Sequence, residues 1–296
     1  MKHNLTSIYL LMVCSSGAWG FQSTCIKWLT NEWNPVTITA VRYLVVGILL
    51  LGYRKFMTHR PIVPKKSLWL PLSLMGLTGI ALNNIIKSTG IMFTSVTNST
   101  LISATTPVIT AFMAFLIMKK EMTRASFLGL FVSFMGVLLI VSHGTWAVIR
   151  NINFNYGDVL CFISQWMWAA YSLLGANVLK YMPATWVTGC SAIFGAFATL
   201  FFGLLTNQLS VCLLSTKAMF SLLYIVFGSG LFTMISWNLA IKRVGPGIAP
   251  VFLNIMPLVG MISGHFLFGE HIGLIQICGA AAICTGVLLT SMSKRI

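Results

Sequence analysis

Runs of about twenty apolar residues, nearly free of charge, recur from one end of the chain to the other. They occupy roughly 7–27, 35–53, 68–91, 95–118, 126–143, 158–178, 185–206, 217–240, 247–268 and 273–292. A helix that crosses a bilayer needs about 20 such residues, because the hydrocarbon core is about 30 Å thick and each residue rises about 1.5 Å. Composition agrees, with 57% apolar residues and only 8% charged ones among 296. A soluble chain of this length carries roughly 74 charged residues at the usual share of about 25%; this one has 19 Lys+Arg and 4 Asp+Glu. So few charges cannot cover a water-facing surface, which argues against a soluble enzyme, a disordered chain or a nucleic-acid-binding domain. Sustained apolarity excludes a β-barrel, whose strands alternate polar and apolar over about ten residues. The expected fold class is an all-α polytopic membrane protein of about ten transmembrane helices.

The net charge of +15 reflects the near absence of acids. With the N-terminus inside and ten spans, fourteen cations fall on the cytoplasmic side, including Arg54, Lys55, Lys119, Lys120, Lys242, Arg243, Lys294 and Arg295. Four lie on or near the outer side, namely Lys27, Lys87, Arg150 and Lys217, and Arg42 falls within the second span. Cytoplasmic loops are enriched in Lys and Arg, so both termini are expected in the cytoplasm. Lys2 and the apolar run to Val13 resemble the start of a signal peptide, but the apolar stretch continues well past it. The seven cysteines show no CxxC and no paired spacing with histidines. They read as small packing residues, and no metal or other cofactor is expected.

The chain repeats itself with a shift of about 150 residues. Thr105-Thr106-Pro107-Val108 returns as Ile255-Met256-Pro257-Leu258, and each proline sits within an apolar run. A loop glutamate follows in both places, Glu121 and Glu270. Gly129 and Gly136 return as Gly279 and Gly286, Trp19 as Trp168, and Pro35 as Pro183. The expected organisation is a first five-helix repeat at 1–143, a linker at 144–156 and a second repeat at 157–296. Five is odd, so the second copy enters the membrane from the opposite side. The loop at Glu121 carries Lys119, Lys120 and Arg124, whereas that at Glu270 carries no Lys or Arg, as opposite orientations require. Inverted repeats are a recurring plan of secondary transporters, with the substrate near the midplane.

These residues resemble the drug/metabolite transporter superfamily, in its ten-helix EamA-type branch. The resemblance runs through Ala18-Trp19-Gly20-Phe21, Pro35 to Arg42, Thr94-Ser95-Val96 to Pro107 and Glu121, Gly157-Asp158 with Trp168-Ala169, and Pro250 to Glu270 with Gly279 and Gly286. It covers nearly the whole chain. It implies two inverted five-helix bundles, export or exchange of a small metabolite, and a cavity lined mainly by helices 1, 3, 4, 6, 8 and 9. It implies no particular substrate. The small four-helix relatives use a glutamate in their first helix; this chain has none there.

Polar side chains at membrane depth usually face a cavity or another helix. Ser15, Trp19 and Gln22 share one face of the first span; Gln165, Trp168 and Ser172 share one of the sixth, with Tyr171 adjacent. Two readings stay open for them, a cavity wall and helix–helix hydrogen bonding. Asn83, Asn84 and Lys87 fall in the third span, where Lys87 either snorkels to the interface or meets a substrate carboxylate or phosphate. Ser95, Asn98, Ile102 and Thr105 form a stripe in the fourth. Trp237, Asn238 and Asn254 complete the substrate-binding candidates. Arg42 either pairs near Glu32 or faces the cavity. His265 is a candidate proton relay, and Pro107 and Pro257 are candidate hinges. All four acids read as peripheral, at helix starts or in loops.

The expected function is a secondary transporter, not an enzyme, that exports or exchanges a small metabolite, an amino acid or related compound, across a bacterial inner membrane by alternating access. Its partners are the substrate and the lipid bilayer, with no nucleic acid, and a monomer or a homodimer suffices. The competing readings are a channel or sensor without coupled transport, and an intramembrane enzyme. The last lacks both HExxH and GxSxG.

Overall fold

A computed structural model of the chain describes residues 5–57, 65–118, 124–141, 155–248, 252–253 and 255–292. Among these residues the secondary structure is helical and no strand is present. Six stretches are long and apolar enough to cross a membrane: Pro35–Tyr53, Lys66–Phe93, Val96–Ile117, Tyr156–Val178, Ala184–Leu205 and Thr216–Val244. Phe127–Gly136, Ile255–Phe268 and Leu274–Gly286 are shorter apolar helices. In chain order the segments are α1 (Leu5–Leu29), α2 (Pro35–Met57), α3 (Lys66–Met75), α4 (Asn83–Phe93), α5 (Val96–Ser103), α6 (Thr106–Met118), α7 (Arg124–Val141) and α8 (Tyr156–Val178). They continue with α9 (Ala184–Leu205), α10 (Thr216–Leu223), α11 (Thr233–Ile248), α12 (Ile255–Phe268) and α13 (Leu274–Met292).

The molecule carries its polarity inside. Leu10, Ile48, Phe197, Phe201, Leu205, Phe220 and Phe266 are exposed, whereas Ser23, Thr24, Ser99, Thr100, Ser164 and Thr188 are fully buried. Apolar exposure on this scale suits a hydrocarbon surround. Most of the buried hydroxyls remain affordable because they donate within their own helix, as Thr39 Oγ1 does to the Pro35 carbonyl at 2.8 Å.

Three of the expected spans are not single α-helices. Between α3 and α4 the chain passes through a π-helical segment, Gly76–Leu82, and between α10 and α11 through another, Tyr224–Phe232. These wider turns shift the register of everything after them. The first also brings chains unusually close: a Cβ on Gly79 would lie 2.3 Å from the Tyr171 ring. The fourth span breaks after Ser103, two turn residues before α6. Pro107 has no N–H for the Ser103 carbonyl, and the Thr106 hydroxyl lies 2.7 Å from that oxygen instead. The break is thus satisfied locally. Pro257 falls in the first turn of α12.

The helices pair across the two halves of the sequence. α2 lies along α9, α7 along α13, α1 along α12 and α11, and α8 along α4 and α6. Gly129, Gly136, Gly279 and Gly286 are all buried. A Cβ on Gly136 would sit 2.9 Å from the Gly279 carbonyl oxygen, so α7 and α13 touch backbone to backbone, as a small-residue seam allows.

Candidate functional site

A narrow cavity of about 40 Å³ lies where α1, α2, α4, α5, α6, α8, α11 and α12 converge. That is room for roughly three water-sized spheres. Among its walls are Trp19, Gln22, Asn83, Asn84, Lys87, Gln165 and Trp168. Seven of the twelve substrate-binding positions expected from sequence therefore share one cavity. Tyr43, Ser103, Thr106, Met234, Leu253 and Met256 complete it; none of these was singled out as a cavity residue beforehand.

Its aromatic side is a triad. Trp19, Trp168 and Trp237 stand with ring centroids 5.3 to 5.7 Å apart, and Tyr171 stacks on Trp168 at 4.9 Å. Trp237 and Tyr171 thus back the two tryptophans that face the cavity. Asn238 donates to the Tyr171 hydroxyl at 2.9 Å and to Thr188 Oγ1 at 2.6 Å, holding the stack against α9. Asn238 supports the wall and does not form it.

Two cations lie beside the cavity. Arg42 is buried, with Nη2 donating to Gln22 Oε1 at 2.9 Å, to the Ser229 carbonyl at 3.0 Å and to Ser229 Oγ at 3.1 Å. Its Nη1 lies 3.4 Å from Asn84 Oδ1, its Nε has no partner, and its guanidinium lies over the Tyr43 ring. Lys87, one turn beyond Asn84 on α4, is also buried and donates to Ser103 Oγ at 2.9 Å. Lys87 is buried and lines the cavity, and Arg42 lies behind the lining residues Gln22 and Asn84, while Glu32 binds Ser215. Among the described residues no acid pairs with either cation; the one ion pair is Lys27–Glu270 at 3.4 Å.

The π segments build this network. Ser229 lies within the second, and its carbonyl also accepts from Trp19 Nε1 at 3.1 Å and from the Thr233 hydroxyl. Gly79 and Ile80 lie within the first, and their carbonyls take Asn84 Nδ2 at 3.1 and 2.9 Å. In both places side chains of the site take up carbonyls of the widened turns.

A second, wider pocket of about 510 Å³ lies at the end of the bundle, with Lys27, Thr94, Ser95, Asn98, Glu270 and His271 in its walls. Glu270 caps α5: Oε1 accepts from Val96 N at 2.8 Å and Oε2 from Thr97 N at 3.0 Å. Sequence placed this carboxylate near the helix after its own loop; it serves α5 instead. Asp158, expected at the periphery, is fully buried and accepts from the Thr94 hydroxyl and from Asn98 Nδ2.

The remaining expected positions fall elsewhere. Asn98 belongs to the peripheral pocket. Ser15 and Ser172 donate to carbonyls of their own helices. Of the Ser95–Thr105 stripe none lines the cavity; Ser103, on another face of α5, and Thr106, past the break, do. His265 is exposed in the last turn of α12, with Nδ1 3.1 Å from the Glu270 carbonyl, and does not reach the cavity. Asn254 lies outside the described residues. Among those residues no three His, Cys, Asp or Glu side chains come together to hold a metal ion.

Comparison with known proteins matches this architecture to one family. The EamA-like transporter pattern fits residues 6–142 and again 155–292. The uncharacterized transporter YyaM of Bacillus subtilis is 27% identical over 100% of this chain and 96% of its own length. An uncharacterized transporter of Archaeoglobus fulgidus is 25% identical over 97% and 98%. The uncharacterized inner membrane transporter YedA of Escherichia coli K12 is 23% identical over 94% and 88%. A crystal structure at 13% identity superposes with a TM-score of 0.70 over 99% of this chain and all of that one, which shows the fold. With two matches that together span nearly its whole length, the chain belongs to the EamA-like transporter family of the drug/metabolite transporter superfamily, an integral membrane protein.

Proposed function

We propose that this protein is a secondary carrier that moves a small amphipathic metabolite across a bacterial inner membrane by alternating access. The carrying observation is the central cavity, lined by two tryptophans, Lys87 and amide side chains, with Arg42 behind Gln22 and Asn84, and walled by segments from both halves of the chain. Ligand sites are mostly apolar hollows with a few placed polar groups. Two halves of five helices, in opposite orientations, are the proposed architecture, giving ten crossings with both termini in the cytoplasm. Support comes from the 150-residue repeat, the family pattern fitting twice, a π segment in the corresponding helix of each half, and the pairing of α2 with α9 and α7 with α13. The halves are proposed as 1–143 and 157–296, joined by 144–156.

Opening the cavity alternately to either side requires an element that moves. α5 is the candidate, hinged at the break above Pro107 and held at its other end by Glu270, with Pro257 at the start of α12 as the second hinge. Trp19, Gln22, Asn83, Asn84, Lys87, Gln165 and Trp168 are the proposed substrate contacts. One chain supplies every wall, so a monomer suffices. An enzyme reading finds no support in the site, where no nucleophile is paired with a base.

The test is uptake of a broad panel of labelled metabolites, amino acids included, into proteoliposomes of purified protein. Saturable uptake that falls in Trp168→Ala is the expected result. Linear, non-saturating flux favours a channel; no flux across the panel overturns the carrier.

A further inference from the structure

We infer that the cavity is an anion site, and that the carried molecule is a small organic anion: a carboxylate or phosphate head on Lys87 Nζ and Gln22 Nε2, with an apolar body against Trp19 and Trp168. The inference rests on the reading of this cavity as the transport site. It starts from an imbalance. Two cations are buried together, on α2 and α4, and every bond they make is to a neutral group. A buried charge is costly without a counter-charge. The described acids are engaged elsewhere: Glu32 with Ser215, Glu270 with Lys27 and the start of α5, and Asp158 with Thr94 and Asn98.

Donors also outnumber acceptors. An ammonium has three N–H groups and a guanidinium five, and neither can accept. Lys87 uses one, on Ser103, and Arg42 Nε has no partner. Because Arg42 can only donate, it fixes the amide of Gln22 with Oε1 toward itself, so Nε2 remains as a donor on a cavity-lining side chain. Acceptors are fewer: Asn84 Oδ1 already receives Arg42 and the Tyr43 hydroxyl, Gln165 Oε1 lies 2.9 Å from a Thr106 hydroxyl shared with the Ser103 carbonyl, and Asn83, whose Nδ2 donates to the Ser164 carbonyl, keeps its Oδ1. A substrate ammonium would meet two cations and no carboxylate among the described walls. An anion would receive the spare donors and neutralise the site. Lys87 is therefore the direct contact, and Arg42, one layer behind, is a positioning residue that sets Gln22 and Asn84 and adds its charge.

A matched set of probes isolates charge from shape: phenylpyruvate and phenyl phosphate as anions, phenylalanine as zwitterion, phenethylamine as cation. Each is tested at neutral pH for saturable uptake by the full-length protein in phosphatidylcholine vesicles. The two anions distinguish a carboxylate from a phosphate preference. At least one is expected to saturate, and to exceed phenylalanine and phenethylamine by about tenfold or more, as expected for one charge-assisted hydrogen bond. Lys87→Gln should raise the anion's KM about 10- to 100-fold on the same basis, and Lys87→Arg should restore most of it. Uptake of phenylalanine or phenethylamine at or above the anions' level overturns the anion assignment and leaves the carrier standing. So does an unchanged KM in a folded Lys87→Gln. If only other members of the broad panel move, the assignment stands where those are anions and falls where they are zwitterions, neutrals or cations. The wild-type comparison holds even if Lys87→Gln fails to fold. No saturable uptake of anything overturns the carrier, and the anion assignment with it.

Discussion

The central cavity and the peripheral pocket are joined by one short helix, α5, and they treat charge differently. At the periphery Glu270 is answered within the chain, by Lys27 and by two backbone N–H groups. At the centre Arg42 and Lys87 meet only neutral groups. The peripheral pocket is about 510 Å³; the central one is about 40 Å³ and narrower. The difference teaches which place is complete without a ligand. The peripheral contacts form a fastening that holds α5 down. The centre is short of negative charge, as a site that awaits an anion is.

Substitutions can break this division, and they rank by how deeply each cuts into it. Trp19→Ala removes one member of the triad and the bond to the Ser229 carbonyl. It should lower unfolding stability in detergent by about 3–5 kcal/mol and abolish uptake, measured by chemical denaturation and by flux. Gly79→Ala drives a Cβ into the Tyr171 ring and should cost about 1–3 kcal/mol by overpacking, read as a lower Tm. Glu270→Ala frees the Val96 and Thr97 N–H groups at the start of α5 and breaks the ion pair with Lys27. It should cost about 1–2 kcal/mol and change turnover while leaving KM alone; a raised KM would mean that the two regions do not divide binding from fastening. The smallest effect concerns Glu32, whose carboxyl is held below the usual carboxylate range by the Ser215 hydroxyl and then by the Ser215 N–H. A lowered native pKa adds stability above the unfolded value, and that stability is lost as pH falls through the native one. Wild-type Tm should therefore drop slightly more on acidification, from the ordinary carboxylate range downward, than that of Glu32→Gln.

Helix positions were legible from sequence because hydrophobic length is a direct physical requirement of the bilayer. The seam of Gly136 and Gly279 was legible too, since spacing of seven puts glycines on one face. Three features were not. The π segments leave no signature in hydropathy, yet they shift register and supply the carbonyls that hold Arg42, Trp19 and Asn84. The break after Ser103 sets the face that α6 presents, so Thr106 lines the cavity, while Ser103 reaches it from a different face of α5 than the expected stripe. Arg42 was seen but not placed, because a cation in an apolar run can pair, snorkel or face inward, and only the positions of Gln22, Asn84 and Ser229 decide. His265 looked interior by its place in a run, but its side of α12 faces out.

The tryptophan triad gives the molecule a built-in reporter. Indole rings 5.3 to 5.7 Å apart are close enough to share excitation and to interact in the near ultraviolet. Two of the three face the cavity, so a molecule that enters it must change the surroundings of a light-absorbing cluster. Near-ultraviolet circular dichroism and quenching of intrinsic emission, subtracted against Trp168→Phe, would then count occupied carriers directly, with no label and no vesicle.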